Sequence, residues 1–381
     1  MIEYSNKQYD PIVFLMESVK PHLLEIDQYN LFSGWVFFFG KKVVKLINVY
    51  ECCISSTERG LDPIATAEVN IRRQDIADFV PTIPAAKKCG FEVDVFVGKN
   101  IKKLSFDVVF EDGSSELLFE QEMDEIREKS SYFGILRSRL DKINMPDGDL
   151  VYLTQGSANV DEYKNSIIPS VMNICDYLSA SGVHLNEISS LLDFGCGTGR
   201  LLTGWNLIEP QIELFGCDFN MELLGWAENN LPDKICFTKN ELIPPLPYRS
   251  GQFDLIYLIS VFTHLTLETQ QVWVNDFKRI LKKGGYLLVT LHGELYAINC
   301  FYDNDPMLDR FYEKGTECAG EKEGSNQFSS FHTKEYVSQL FDGFECVGYF
   351  QNGRINDGRV PFKVSSAQDV YVLRYTDGVN G

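Results

Sequence analysis

The chain has 381 residues, a length that suggests two or three domains. Its 54 acidic against 35 basic residues give a formal net charge of -19, which weighs against nucleic acid or an anionic lipid surface as a partner. Hydrophobic residues make up 44% of the chain, enough to bury real cores.

At the start, Glu3 and Asp10 stand where a leader would be basic, so no secretory leader is expected. The apolar run Trp35–Phe39 is far too short to span a bilayer. From about residue 20 to 120 the pattern is that of strands. Phe91, Val93, Val95 and Val97 alternate with Glu92 and Asp94; Leu104, Phe106, Val108 and Phe110 alternate with Ser105, Asp107 and Glu111. Period two with one polar face predicts an antiparallel sheet that is wet on one side. Asp62-Pro63, Lys99-Asn100 and Asp112-Gly113-Ser114 supply the turns, the last before a strand at Glu116–Glu120. Residues 1–120 therefore read as a small antiparallel β-sandwich-like domain without chemistry of its own. Acceptor recognition, homodimerisation and tethering to an assembly all stay open for it. Residues 121–150 read as a linker, charged at Glu122–Lys129 and turn-rich at Asn144–Asp149.

From 151 to the end helices and strands alternate. Ile167, Val171, Ile174 and Leu178 recur at helical spacing. Strands are expected at Leu191–Phe194, Glu213–Cys217, Ile235–Thr238 and Asp254–Ser260, with helices near Arg200–Asn206 and Met221–Asn229. Thr266 reads as an N-cap for a helix carrying Trp273, Phe277, Ile280 and Leu281, and Lys282-Lys283-Gly284-Gly285 reads as its stop. Further strands are expected at Tyr286–Leu291, Glu345–Phe350 and Asp369–Tyr375. Repeated βα units imply an α/β fold, a doubly wound and mostly parallel sheet covered on both faces. The tryptophans on these helices, Trp205, Trp226 and Trp273, are expected to be core. The ten cysteines form no C-x-x-C pair, and Cys52 and Cys53 are adjacent. Reduced thiols of a cytoplasmic protein, Cys196, Cys217 and Cys236 among them in or beside core strands, and no metal site, are the expectation.

The strongest signal is Leu191-Leu192-Asp193-Phe194-Gly195-Cys196-Gly197-Thr198-Gly199-Arg200, a buried strand running into a glycine loop and then a helix. Glycines allow a sharp bend and close approach of a ligand, and the helix start offers free N–H groups. Asp218 comes one strand after Gly199 and can accept both hydroxyls of an adenosine ribose. A dinucleotide loop, G-x-G-x-x-G, would need glycine where Arg200 stands. Asp193 at the strand end would repel a pyrophosphate but tolerate a cation. The pattern thus points to a nucleoside bearing a positive charge.

These residues resemble motif I of class I S-adenosylmethionine (SAM)-dependent methyltransferases, a likeness that runs from about residue 150 to 375. Phe215-Gly216-Cys217-Asp218 resembles the family's second strand with its ribose acid. Thr238-Lys239-Asn240-Glu241 resembles the next strand end, with Asn240 where aspartate is frequent. Phe253-Asp254-Leu255-Ile256 resembles the fourth strand, and Ser260-Val261-Phe262-Thr263-His264-Leu265 and Leu281-Lys282-Lys283-Gly284-Gly285 resemble the segments after that strand. The resemblance implies a seven-stranded sheet, SAM as cofactor with S-adenosylhomocysteine (SAH) as product, and contacts from Asp193, Gly195, Cys196, Gly197, Gly199, Asp218, Phe219, Asn240, Glu241 and Ser260. Leu291-His292-Gly293, Phe331-His332 and Gln368-Asp369-Val370-Tyr371 look like bacterial methyltransferases of surface-glycan biosynthesis. Arg73-Gln74-Asp75-Ile76 and Cys89-Gly90-Phe91 are similar to β domains joined to glycan-modifying enzymes. A small-molecule or glycan-type acceptor, methylated at a hydroxyl, is the implied substrate.

A hydroxyl acceptor needs its proton taken by a group titrating near neutrality. His292, His264 and His332 are the candidates, with Glu294 and Asp369 as orienters or outside bases; His22 and His184 lie away from the expected cleft. Two other readings stand beside this one: a SAM-fold binding or regulatory protein without turnover, and an NAD-dependent oxidoreductase, which the glycine spacing disfavours.

Overall fold

The structure, a computed structural model, describes residues 12–18, 24, 26–38, 42–55, 58–79, 84–301, 306–325, 327–353 and 368–376. Glu3, Asp10, His22 and Phe39 lie outside them. The chain divides into two compact units; of the described residues, the first holds those up to Ile135 and also 299–301, and the second holds the rest from Leu136 on.

The first unit carries β1 (Ile12–Ser18), β2 (Gln28–Phe38), β3 (Val44–Cys53), β4 (Ala65–Glu68), β5 (Gly90–Val97), β6 (Ile101–Phe110) and β7 (Ser115–Glu122), with a short helix α1 (Gln74–Phe79). All pairings are antiparallel, in two sheets ordered β1-β2-β5 and β4-β3-β6-β7. Phe91, Val93, Val95 and Val97 of β5 enter one apolar cluster with Leu104, Phe106, Val108 and Phe110 of β6, as the alternation requires. The polar side of β6 is drier than expected. Arg59 lies over the Tyr50 ring, 3.6 Å from its centroid, and donates to Asp107, while Ser105 donates to Glu120 at 3.0 Å. Both polar residues are thereby buried with partners. The charged stretch after β7 forms α2 (Met123–Leu140).

The second unit begins with α3 (Gly148–Gln155), capped by Asp147, and α4 (Val160–Ala180), capped by Asn159. Then come β8 (Ser190–Phe194), α5 (Arg200–Ile208), β9 (Glu213–Asp218), α6 (Met221–Asn230), β10 (Ile235–Lys239), β11 (Phe253–Leu258), α7 (Leu267–Ile280) and β12 (Leu281–Leu291). After β12 the chain forms α8 (Glu294–Phe301), α9 (Pro306–Lys314), β13 (Thr316–Gly320), β14 (Phe328–His332), α10 (Lys334–Leu340), β15 (Phe344–Phe350) and β16 (Asp369–Tyr375). The main sheet runs β10-β9-β8-β11-β12-β16-β15. Its first five strands are parallel, and β16 is antiparallel to both neighbours. This is an α/β fold with a seven-stranded, mostly parallel sheet.

Strand order reverses between β8 and β11, which opens the crevice where ligands of such sheets sit. Trp205 and Trp273 are fully buried as expected, whereas Trp226 is only half-buried, and Thr266 caps α7. Two further expectations fail in detail. The four residues Lys282–Gly285 do not form a stop outside the strand: α7 ends at Ile280, and β12 pairs with β11 at Leu281 and again from Tyr286, so the segment is a bulge, with Gly284 left-handed at φ 81. Cys236 lies exposed on β10, the edge strand, whereas Cys196 and Cys217 are core. Among the described residues no helix is long and apolar enough to cross a membrane.

Candidate active site

The loop after β8 is shaped by three left-handed glycines, Gly195 (φ 80), Gly197 (φ 55) and Gly199 (φ 73). Side chains would not fit two of them: a Cβ would meet Val261 at 2.5 Å at Gly195 and Leu231 at 2.6 Å at Gly199. Gly195 and Cys196 donate their N–H groups to the carbonyl of Cys217, at 2.8 and 3.0 Å, which laces the loop to the end of β9. The Cys196 thiol is buried against the Gly197 carbonyl.

Asp218 ends β9 with 7% of its surface exposed. Its Oδ2 accepts the Gly197 N–H and its Oδ1 accepts the Asn220 N–H, each at 2.8 Å. Burial raises its pKa and these bonds oppose the rise. A carboxylate has about four acceptor positions, so about two remain for a ligand. One strand to the other side, Asp193 is 3% exposed; its Oδ2 makes no hydrogen bond of good geometry, although the Tyr257 hydroxyl is close enough to hold its pKa down in part. Burial pushes its pKa up to about 7. After β10, Asn240 donates to the Glu241 carbonyl at 2.8 Å while its Oδ1 is buried without a partner. Phe219 stands 54% exposed beside Asp218. Glu241 is at the surface, in an ion pair with Lys239 at 2.5 Å.

The crevice edge therefore offers two orphaned buried acceptors, Asp193 Oδ2 and Asn240 Oδ1, on strands two places apart. That separation is roughly 10 Å, a span a nucleoside fits. The orphans, the flat face of Phe219 and the left-handed loop fit a nucleoside whose tail carries a cation.

Ser260 lies just past β11 in a left-handed conformation (φ 58), its N–H bonded to Thr290 Oγ1 at 2.7 Å. Thr290 donates to Gln368 Oε1 at 2.6 Å, and the Gln368 amide donates to Ser260 Oγ at 2.9 Å. The same amide lies 3.4 Å from His292 Nε2.

The three candidate histidines converge on β14. His292 lies just past β12, stacks on Tyr296 at 3.9 Å between ring centroids, and accepts the backbone N–H of His332 at its carbonyl. His332 is the last residue of β14, and Thr333 after it caps α10. His332 Nε2 lies 2.8 Å from Gln270 Oε1, so Nε2 carries the proton. Burial, before any other cause, pushes both His292 and His332 down to about 3. Neither titrates near neutrality, which is the property expected of them from the sequence. His264 is half-buried, and its Nδ1 lies 2.8 Å from the Phe328 carbonyl. A carbonyl only accepts, so Nδ1 carries a proton. Asp369 is held by Tyr349 and by the Asn352 N–H, each at 2.9 Å.

Sequence reasoning missed several neighbours. Thr198 in the loop is bonded by Tyr163 at 2.7 Å and lies 3.2 Å from Thr154, joining α3, α4 and the loop. The hairpin β13–β14, which gathers the histidines, has no local signal in the sequence. Neither has a cavity lined by residues of α4, Arg200, Thr290 and Gln368.

Residues 192–289, about a quarter of the chain, match the family described as Methyltransferase domain. Among curated proteins, an uncharacterized methyltransferase of Schizosaccharomyces pombe is 27% identical over 113 residues, covering 27% of this chain and 40% of that protein. A tRNA N(3)-methylcytidine methyltransferase of Drosophila melanogaster is 27% identical over 136 residues, 33% of this chain and 42% of that protein. The chain thus spans less than half the length of these two relatives. A solved structure of a SAM-dependent methyltransferase from Methanosarcina mazei aligns with 53% of this chain and 96% of its own, at 18% identity and a TM-score of 0.38.

Proposed function

We propose that the protein transfers a methyl group from SAM to a hydroxyl of a small-molecule or glycan-type acceptor. The observation that carries this reading is the pair of orphaned buried acceptors flanking Asp218 at the switch point, Asp193 Oδ2 and Asn240 Oδ1. The methyltransferase match over residues 192–289 supports it. In this reading Asp218 takes the ribose hydroxyls, Asn240 the adenine edge and Phe219 an adenine face. The glycine loop with Asp193 takes the amino-acid tail, and Ser260 lies toward the methyl group.

SAM supplies an electrophilic methyl on an already good leaving group, so the chain's task is alignment and proton removal. In this reading His264 is the proton acceptor, through Nε2, because its Nδ1 is held by the Phe328 carbonyl. His292 serves as packing and as a partner of Gln368, and His332 as a core residue. Residues 1–120, as a β-sandwich, serve acceptor recognition, with 121–150 joining them to the methyltransferase domain of 151–381. A tRNA acceptor like that of the Drosophila protein is disfavoured by the net charge of -19.

The test is titration calorimetry of the full chain with SAM and SAH, followed by SAH release against a panel of hydroxylated acceptors. Binding of both ligands, with release that falls roughly 10²–10⁴-fold in His264→Gln at unchanged SAH affinity, is expected. Heat from neither ligand would refute the reading. Binding without any release would favour a binding protein that lacks turnover, a role the locked His292 and His332 rings would also suit.

A further inference from the structure

We propose that Arg200 seats a carboxylate of the methyl acceptor, so that the substrate is an acidic hydroxyl compound; this rests on the methyltransferase reading. Arg200 is the first residue of α5 and lines the cavity beside the glycine loop. Only its Nη1 is engaged, donating to Ser166 and Ser170 of α4, each at 3.0 Å. Nε and Nη2 donate to no group among the described residues, which leaves about three N–H donors in the planar fork that matches a carboxylate. No carboxylate among the described residues lies within ion-pair distance of it. Asp193 is near enough for the two charges to influence each other, but the two form no ion pair.

Folding alone gives little reason for this arrangement. A cation in the first turn of a helix is opposed by the helix dipole. A guanidinium drawn into low dielectric with only neutral partners is costly, and here burial drags its pKa below the ordinary arginine value. A ligand anion removes both penalties. Ser170, Asn173, Thr290 and Gln368 share the cavity's lining with Arg200, hydrogen-bonding groups suited to a polyhydroxylated ring.

The cavity's position selects the acceptor over the nucleoside half of the cofactor. Its walls come from α4, α5, the ends of β11 and β12, Gly353, and β16 with the residue before it, and none comes from β9 or β10. Asp218 and Asn240 are not among its lining residues. The cofactor's own tail also carries a carboxylate, and the test separates the two.

The full chain is saturated with SAH and titrated with matched pairs, D-glucuronate against D-glucose and 3-hydroxybenzoate against 3-hydroxybenzamide. At least one acid should bind about tenfold tighter than its neutral twin. Arg200→Gln should remove that preference while keeping SAH affinity within about threefold. Arg200→Lys, which keeps the charge but loses the fork, should retain part of it. No preference in the wild type, or the same preference in Arg200→Gln, would overturn the proposal. Loss of SAH affinity by about tenfold in Arg200→Gln would overturn it too, by assigning the fork to the cofactor's tail. Failure of the wild type to bind SAH would instead sink the methyltransferase reading itself.

Discussion

His332 offers a quantitative test of how tightly the second unit closes around its histidines. The ring is 1% exposed, its Nε2–H donates to Gln270, and its Nδ1 has no hydrogen-bond partner. Burial lowers its pKa from 6.5 to about 3. Below the unfolded value the unfolded chain takes up a proton that the fold refuses. The histidine's contribution is therefore intact above about pH 6.5 and is lost progressively as the pH falls toward about 3. Between about pH 7 and about pH 5 the loss is roughly 2 kcal/mol for this residue alone. His332→Gln keeps a donor for Gln270 and removes the titration. Urea unfolding followed by tryptophan fluorescence in a Trp35→Phe background reports this unit, because the other three tryptophans, Trp205, Trp226 and Trp273, all lie in it. Buried carboxylates such as Asp369, whose pKa is raised to about 6, have the opposite pH dependence, but they are common to both proteins and cancel in the difference. The wild type should lose roughly 2 kcal/mol more than His332→Gln over that interval. Parallel pH slopes for the two proteins would show that the ring is not sealed as described.

Gly199→Ala places a Cβ 2.6 Å from Leu231 at a left-handed φ of 73. It should cost roughly 1–3 kcal/mol of stability, read as a lowered urea midpoint, and should weaken SAH binding in calorimetry. Asp218→Asn turns an amide group toward the Gly197 or Asn220 N–H, both now accepted by the carboxylate. SAH affinity should fall by roughly 1–3 kcal/mol in a protein that still folds, and unchanged affinity would contradict the placement of the ribose. Phe219→Ala removes a half-exposed ring that supports no core. It should leave the urea midpoint unchanged and weaken SAH binding by about 1 kcal/mol.

How far an element can be read from the sequence depends on how local its signal is. The β8–loop–α5 unit declares itself because a buried strand, three glycines and a helix start are consecutive, and each glycine has a backbone reason. Strands β15 and β16 are legible as elements. That β16 inserts between β12 and β15 is a long-range fact which no local pattern carries. Ser329-Ser330-Phe331-His332-Thr333 looks like a helix start because Thr333 does cap one; the first four of these residues also complete β14, whose partner β13 is short and polar. The pKa values of His292 and His332 are beyond reach for the same reason. They depend on what covers the rings, and the cover comes from elements far apart in the chain, such as Gln270 of α7. In the sequence Arg200 marks only the glycine that is missing from a dinucleotide loop. Its unpaired fork emerges only when α4 is seen to supply serines and no acid.

Asp193 carries a prediction that joins its electrostatics to the proposed function. Its carboxyl is 3% exposed, its Oδ2 has no partner, and burial holds its pKa at about 7. Near pH 7 about half of the ligand-free molecules then carry a proton there. A bound ligand with an ammonium and a sulfonium near this oxygen lowers the pKa by about 1–3 units, as an opposite charge within a few ångströms does. Binding must therefore expel up to about half a proton per site near pH 7. Affinity for SAM should rise with pH from about 5 to about 7 and level off above. Calorimetric titrations in phosphate and in Tris, whose ionisation heats differ, measure the released proton directly. Asp193→Asn should abolish both the buffer dependence and the pH dependence. A wild-type binding enthalpy that is the same in both buffers at about pH 7 would mean that no cation approaches this carboxyl, and the loop would then need a different ligand.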